Sequence, residues 1–430
     1  MRRAALALVG LAACNGETGT IQLELAAAPG SSLIANIQHL RVTITDPKTV
    51  IETDRDENGL NLALDVEATG GAGALIVEGF DGSGALIAGG ESPIFPVAAI
   101  NARIVVYVAA PLSIGPSIST LPAPRTNVAA AALAYGVVIA GGEDEAGAKT
   151  DSIFVYNAYD HGLTAGLAMP AKRAAQTLAV GSNDAVYMFG GIDEAGTPTG
   201  TFWRFDTTVA PMGAYTDFGD DAGLARASTS AIQLGVDRFV ITGAPPLDLT
   251  FNAIAARTDL ASLSPNGASV IGDNGQAIAM FAGDPIVRLR GDSFDTIPAS
   301  AEDTATAAGL PDGRIVFAGV GGAADVLVID AATGSASRVT GALSTPRLRA
   351  AVAATSEYLV VAGGTDAAGA SLPSADILAV TDLARIATVP CVPRSRAAAF
   401  VLPNRQILVV GGTPANDQIE LFTPPPASPE

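Results

Sequence analysis

Histidine, cysteine and tryptophan are almost absent from this sequence. Two histidines, His39 and His161, leave little material for a metal centre or a histidine-based acid–base pair. Two cysteines, Cys14 and Cys391, cannot supply the even set at regular spacings that a disulfide framework requires. Charge is also sparse, at 16% of residues, and strongly one-sided, with a formal net charge of −19. So acidic a chain repels phosphate backbones, which argues against nucleic-acid binding. The chain holds no Gly-x-Ser-x-Gly, P-loop or His-Glu-x-x-His motif. No catalytic residue and no cofactor is therefore expected. What is abundant is glycine (47), proline (27) and aliphatic residues, with only 5% aromatics. Short β-branched runs punctuated by Gly and Pro predict many short strands joined by turns.

Residues 1–14 read MRRAALALVGLAAC. Arg2 and Arg3 form a positive region, Ala4 to Leu11 a short apolar one, and small residues precede Cys14. This is the layout of a secretory signal, too short to span a bilayer. Leu11-Ala12-Ala13-Cys14 also resembles the bacterial lipobox. That resemblance implies cleavage of residues 1–13, lipidation of Cys14 and a short tether over 14–19. Several acyl chains on Cys14 would hold the protein at a membrane. The alternative is an ordinary secretory signal with a cysteine nearby. Asn15, where inner-membrane retention in some bacteria is associated with Asp, favours the outer membrane. With Cys14 lipidated, Cys391 has no partner and reads as a buried small hydrophobe beside Val389 and Val392.

From about residue 113 the sequence repeats itself. Four apolar runs end in double glycine: Val137 to Gly141-Gly142, Val186 to Gly190-Gly191, Leu359 to Gly363-Gly364 and Ile407 to Gly411-Gly412. Weaker copies are Ile241-Thr242-Gly243, Phe281-Ala282-Gly283 and Val320-Gly321-Gly322. That makes seven units, 38 to 53 residues apart. An arginine lies 16 or 17 residues before the first glycine in five of them: Arg125, Arg173, Arg226, Arg347 and Arg394. Pro124, Pro170, Pro346 and Pro393 come shortly before four of these. The two markers together resemble the Kelch repeat, which implies an all-β, seven-bladed propeller over residues 112–423. The count falls to six if one degenerate middle unit is not a blade. The small apolar stretch after each arginine suits the innermost strand, and the run into the glycines the second. The third alternates, as in Thr201 to Phe205. Kelch blades usually carry a Trp in the fourth strand, whereas Trp203, the one Trp here, falls in a third. Residues 126–142 hold no charge, but aligned copies place turns in their middle, so they form a hairpin and not a membrane helix.

The last unit ends after its third strand, at Thr423. Ser113 to Leu121 is a spare extended segment that can complete it and close the ring. Pro424 to Glu430 reads as a disordered tail. Residues 20–111 alternate cleanly at Ile21 to Leu25, Leu40 to Ile44, Leu60 to Val66, Ala74 to Val77 and Ile104 to Val108. They predict a small β-sandwich of about seven strands, similar to Ig-like modules in general.

Two clusters invite a functional reading. Asp54, Asp56, Asn58 and Asp65 match the spacing of an EF-hand-type calcium loop, yet Asn58-Gly59 is also a hairpin turn signal between strand-like flanks. The loops after the best double glycines share Asp144-Glu145-Ala146-Gly147, Asp193-Glu194-Ala195-Gly196 and Asp366-Ala367-Ala368-Gly369. Propeller geometry puts these acids on the same face as the repeated arginines, so the two sets should approach. A charged rim holding a ligand competes with arginines that merely tie blades together. Recurrence with the repeat favours the second, because ligand sites break a repeat and structural residues follow it. Copper oxidases that share the Kelch propeller use Tyr and His ligands, but His161 stands alone in this region.

These readings converge on a non-enzymatic, lipid-anchored protein of a bacterial envelope. Its partner would be a protein or glycan engaged through blade loops. The alternatives are a Kelch-group enzyme acting on a sugar and a purely structural envelope protein. A deep polar mouth with convergent titratable groups would favour the enzyme, and a rim of Ala, Gly and Thr would favour binding.

Overall fold

The computed structural model describes residues 18–427, apart from 21, 58, 61–64, 68–70, 97–102, 236–237, 251–252, 259–268, 274–276 and 292. Residues 11–14, with the lipobox and Cys14, lie outside the described residues, as does Asn58.

Seven four-stranded antiparallel sheets follow one another along the chain. Their innermost strands are Ala129–Leu133, Thr177–Val180, Ala231–Gly235, Ser269–Asp273, Thr306–Gly309, Ala351–Ala354 and Ala398–Val401. Each lies against the next, and the last against the first, so the sheets close a ring. We number them blades 1 to 7. Small residues dominate these inner strands because neighbouring blades converge there.

The second strands, such as Gly136–Ala140 and Tyr358–Ala362, are almost wholly buried. Side chains alternate across a strand, so each second strand feeds two junctions. Val137 and Ile139 pack towards blade 7, with Leu408, Val410 and Leu421. Val138 and Ala140 pack towards blade 2, with Val186, Met188 and Trp203. A distinct apolar cluster fills every junction around the ring. Burial on both faces is why these strands read as continuous apolar runs. The cluster between blades 3 and 4 includes Ile232, Val240, Ala279, Phe281, Val287 and Leu289 among the described residues. There the repeat is weakest in sequence.

Blade 7 takes its outer strand from Ser113–Pro116, which pairs antiparallel with Glu420–Thr423. The predicted closure is observed, and both ends of the ring share one sheet. Pro424 to Ala427 do not form a free tail. Pro424 is buried, and Pro426 lies so close to Gly89 that a Cβ there would meet it at 2.7 Å.

Before the ring, a five-stranded sheet runs in the order Gly59–Leu60, Lys48–Asp56, His39–Thr45, Leu75–Phe80, Leu86–Glu91. A parallel pair, Gln22–Ala26 with Arg103–Tyr107, faces it. Leu23, Leu25, Ile104 and Val106 meet Leu40, Val42, Ile44, Leu75 and Val77 in a single core. This is a sandwich, with two further short pairs at its margins. Residues 61–64 of the predicted run from Leu60 to Val66 lie outside the described residues. Gly59–Leu60 and Asp65–Glu67 belong to different sheets.

The sandwich docks on the ring beside its closure. Tyr107 donates its hydroxyl to Pro116 O at 2.8 Å, and Arg405 of blade 7 pairs with Glu91 at 2.8 Å. Behind Tyr107 sits His161, fully buried, with Nδ1 2.7 Å from the Tyr156 hydroxyl. Tyr156 in turn contacts Ser117 at 3.2 Å. His161, the one histidine of the propeller region, belongs to a cluster with Tyr156 nearby in sequence and Tyr107 from the sandwich. The cluster lies in the docking region, where it holds the chain around the closing strand.

Burial pushes the His161 pKa down to about 4. The unfolded chain binds a proton near pH 6.5, while the native imidazole stays neutral, so stability falls as pH drops from 6.5 towards 4. Unfolding free energy should decrease by about 2 kcal/mol between pH 7.5 and pH 5 from this group alone. His161→Gln should flatten that slope in denaturant titrations. Equal slopes for both proteins would show that His161 is not a neutral buried group.

The double glycines have a steric cause. Gly363 has φ +62°, and a Cβ there would lie 2.2 Å from the carbonyl oxygen of Arg394 in the next blade. Gly369 has φ +86° with nothing near its missing Cβ. Gly369→Ala should therefore cost about 1–2 kcal/mol from backbone strain alone. Gly363→Ala should cost about 3 kcal/mol beyond that, because blade 7 must move. Chemical denaturation of both variants checks the difference. Equal losses would remove close approach as the reason for this glycine.

Candidate functional site

The repeated arginines are structural clasps. Arg347 is wholly buried in blade 6 and donates to Gly363 O (3.0 Å) and to Asp376 Oδ2 (2.9 Å). Arg394, 1% exposed, donates to Gly411 O (3.2 Å) and Glu420 Oε2 (2.8 Å). Arg226 donates to Thr242 O at 3.1 Å, and Arg125 reaches Gly141 O at 3.5 Å and the Ser152 hydroxyl. The arginine backbone then serves the blade before it. Gly142 N donates to Arg173 O, Gly191 N to Arg226 O and Gly364 N to Arg394 O, at 2.8–2.9 Å. The interval of 16 or 17 residues is therefore the length of chain from a blade's entry, down one strand and up the next.

What lies beneath the guanidinium varies. In blades 6 and 7 it is a carboxylate, Asp376 or Glu420. In blades 1 and 2 the corresponding third-strand residues are Phe154 and Trp203, stacked 5.6 and 5.1 Å from Arg125 and Arg173. Either partner stabilises a buried cation. Trp203 thus answers to an arginine from the third strand.

Among the described residues the loop acids form no hydrogen bond or ion pair with these arginines, although the charge of Asp193 is felt by Arg173. Asp144 Oδ1 accepts from Ala146 N and Ala148 N, Asp193 Oδ1 from Thr197 N, and Asp366 Oδ1 from Ala368 N and Ala370 N, all at 2.9 Å. They close their own turns, and Glu194 pairs instead with Lys172. The short side chain of Asp satisfies backbone two to four residues on before it can reach a neighbouring element.

Two other sequence readings change. In blade 5 the strand Arg314–Ala318 ends at Gly319, and a Cβ there would meet Arg347 O at 2.6 Å. Gly319 therefore fills the role assigned to Gly321, while Gly321 and Gly322 face open space. Gly243 of blade 3 lies against the Arg226 guanidinium rather than a backbone carbonyl. Of the calcium candidates, Asn58 lies outside the described residues, and the others are placed by strands. Asp54 and Asp56 stand in the strand Lys48–Asp56, which turns directly into Gly59–Leu60, and Asp54 bonds His39 Nδ1 at 2.8 Å. Asp65 belongs to a different sheet, paired with Thr18–Thr20. Cys391 is half-buried against blades 6 and 7, and burial pushes its thiol up to about 11, away from a reactive thiolate.

A cavity lies at the mouth of the central channel. Its volume is about 590 Å³, and it opens where the inner strands begin. Asn127, Ala175, Ser228, Arg349 and Arg396 occupy one repeat position, two residues after each clasping arginine. All have left-handed backbone, φ +51° to +57°. That conformation costs about 1–2 kcal/mol per non-glycine residue. It is imposed by a chain of hydrogen bonds around the mouth: Ala175 N to Asn127 O, Ser228 N to Ala175 O, Arg349 N to Thr304 O and Arg396 N to Arg349 O, at 2.8–2.9 Å. Alanine, serine and threonine form most of the wall, and Asp303, Arg349 and Arg396 carry its charge among the described residues. Sequence reasoning missed this position because its side chains share no type. The constant spacing behind the arginines is the signal that could have found it.

No family model matches the sequence, and no curated protein matches it. Among solved structures, one described as YjhT is similar at 15% identity, over 63% of this chain and 99% of its own, with a TM-score of 0.47. The WD40 β-propeller domain of Doa1 is similar at 12% identity, over 73% and 97%, with a TM-score of 0.48. The fold class follows from the ring itself: this is a β-propeller protein with a β-sandwich docked at its closure.

The clasps predict a stability pattern. Burial pushes the Asp376 carboxyl up, but hydrogen bonds from Thr388 and Ser344 and the charge of Arg347 outweigh it, leaving its pKa below the ordinary value. Arg347→Met strands that carboxylate and should cost about 3–5 kcal/mol in urea unfolding. Arg347→Met with Asp376→Leu should recover most of the loss, because a buried pair can be exchanged for apolar packing. A double variant as unstable as the single would contradict this account.

Proposed function

We propose that this chain is a non-enzymatic binding protein, held at a bacterial envelope by lipid on Cys14, whose Kelch-like propeller presents the channel mouth to a glycan or protein. The observation that carries the reading is the composition of the mouth. Its wall is Ala129, Ala130, Ala175, Thr177, Ser228 and Thr229 with their neighbours, and it brings together one carboxylate and two guanidiniums. A mouth of that size suits a small ligand or the end of a polymer. His161, Cys391 and the clasping arginines are engaged elsewhere, and the acids of the blade loops are spent on turns.

The competing reading, an enzyme acting on a sugar, draws on the arrival of Asp303, Arg349 and Arg396 from three different blades. Asp303 would then be the sole candidate acid or base among the described lining residues.

Expression in a bacterial host with detergent extraction tests the reading. Wild-type protein should partition with membranes, and Cys14→Ser should not. Extracted protein should retain glycans from an envelope-polysaccharide array, and Ala227→Trp, which fills the mouth, should abolish retention. Retention unchanged by Ala227→Trp would remove the mouth as the binding surface. Conversion of a retained glycan, abolished by Asp303→Asn, would replace binding with catalysis.

A further inference from the structure

Arg349 and Arg396 break the repeat. At the position where blades 1, 2 and 3 carry Asn127, Ala175 and Ser228, blades 6 and 7 place two arginines side by side. The backbone at this position is the same in all five, so the ring does not need arginine there. The clasping arginines two residues earlier, Arg347 and Arg394, donate to carbonyls and carboxylates within their blades. Arg349 and Arg396, by contrast, have no side-chain hydrogen bond or ion pair among the described residues. In a chain with 43 acidic residues against 24 basic ones, two adjacent unpartnered cations are an anomaly. Partial enclosure by the mouth and then the charge of Arg349 pull the Arg396 pKa below its ordinary value. The two like charges share one cavity and lie near enough to repel, an arrangement that an anion bound between them would relieve.

We propose that Arg349 and Arg396 clamp the carboxylate of an acidic sugar in the channel mouth. This rests on the reading of the mouth as a binding site and names its ligand class. A planar guanidinium matches a carboxylate with two parallel hydrogen bonds, and two guanidiniums can hold both oxygens. Asn127, Ser228 and Thr229 also line the mouth; the Asn127 amide donates to Glu143 and the Thr229 hydroxyl meets that of Thr177, which leaves the Ser228 hydroxyl and the Asn127 side-chain oxygen for a hydroxylated body. The Asp303 carboxylate in the same mouth repels a second acid, which selects a monocarboxylate sugar over a dicarboxylate. The mouth has room for one or two sugar units.

Calorimetric titration of the full detergent-solubilised chain with D-galacturonate tests the proposal, with D-galactose, succinate and inorganic phosphate in parallel. Galacturonate should bind at least about tenfold more tightly than each of the other three. Arg349→Gln and Arg396→Gln should each weaken it about tenfold, and the double variant should abolish it with an unchanged melting temperature. Arg396→Lys should recover only part, since it keeps the charge and loses the fork. Absence of galacturonate binding, equal binding of galactose, or a double variant that binds like wild type would overturn the proposal. Phosphate or succinate binding as tightly would overturn the acidic sugar as ligand. If the glycan array still shows retention lost in Ala227→Trp while galacturonate does not bind, the mouth remains a binding surface and only the carboxylate clamp falls.

Discussion

Arg394 locks blade 7 by being used twice, and Arg125, Arg173, Arg226 and Arg347 each make one of the same two contacts. The Arg394 guanidinium holds the carbonyl of the first glycine at the end of its own second strand. Its backbone carbonyl accepts the N–H of the second glycine from the blade before. The first bond folds the blade on itself and the second joins it to its neighbour. Both need the glycine pair, because a Cβ at either position would press into backbone: Arg394 O lies 2.2 Å from the first in blade 6, and Leu348 O lies 2.9 Å from the second. Two residue types fixed by one contact account for the pairing of arginine and double glycine across the repeat.

The remaining architecture follows from that contact and from ring closure. Clasped blades converge, so inner strands are small and second strands are buried on both faces. Closure then requires a partner for the outer edge of the last blade, which comes from Ser113–Pro116. At the seam Asn416 substitutes for the glycine contact: its N–H reaches Arg125 O at 3.3 Å, and its amide donates to Gly411 O at 3.2 Å. Because the closing strand leaves directly from the sandwich, the sandwich is drawn against blades 7 and 1. Tyr107, Tyr156 and His161 pack behind it, and Pro426 returns to cover Gly89.

The channel mouth uses the same scaffold for a different end. Its left-handed ring costs conformational energy at five non-glycine positions and is held by backbone hydrogen bonds. The side chain there is free to vary. In three described blades it is small or neutral, and in two it is arginine. A structural repeat thereby carries a local departure without disturbing the blades, which is how a symmetric ring acquires a one-sided site.

Much of the ring was legible in the sequence, since each blade contact is local and repeats at nearly constant spacing. The arginine interval, the double glycines, the hairpin within residues 126–142 and the borrowed strand are consequences of chain length and sterics, and they are found where expected. Legibility failed where a choice depended on what lies across space. Asp144 could meet an arginine or its own turn, and the turn was nearer. Asp54 and Asp56 had calcium spacing but were committed to a strand. The blade 5 glycine was misassigned by two residues because Gly321-Gly322 resembles the motif while Gly319 makes the contact. The packing of Tyr107 on His161 was not legible because Tyr107 comes from another module. The sequence by itself determined an all-β repeat and the residues that lock it, because those interactions lie within one blade length of the chain. Only the tertiary structure decided which charges meet. It spent the loop acids on turns and left Arg349 and Arg396 together at the mouth, because ring closure alone brings blades 6 and 7 around to face blades 1 to 3.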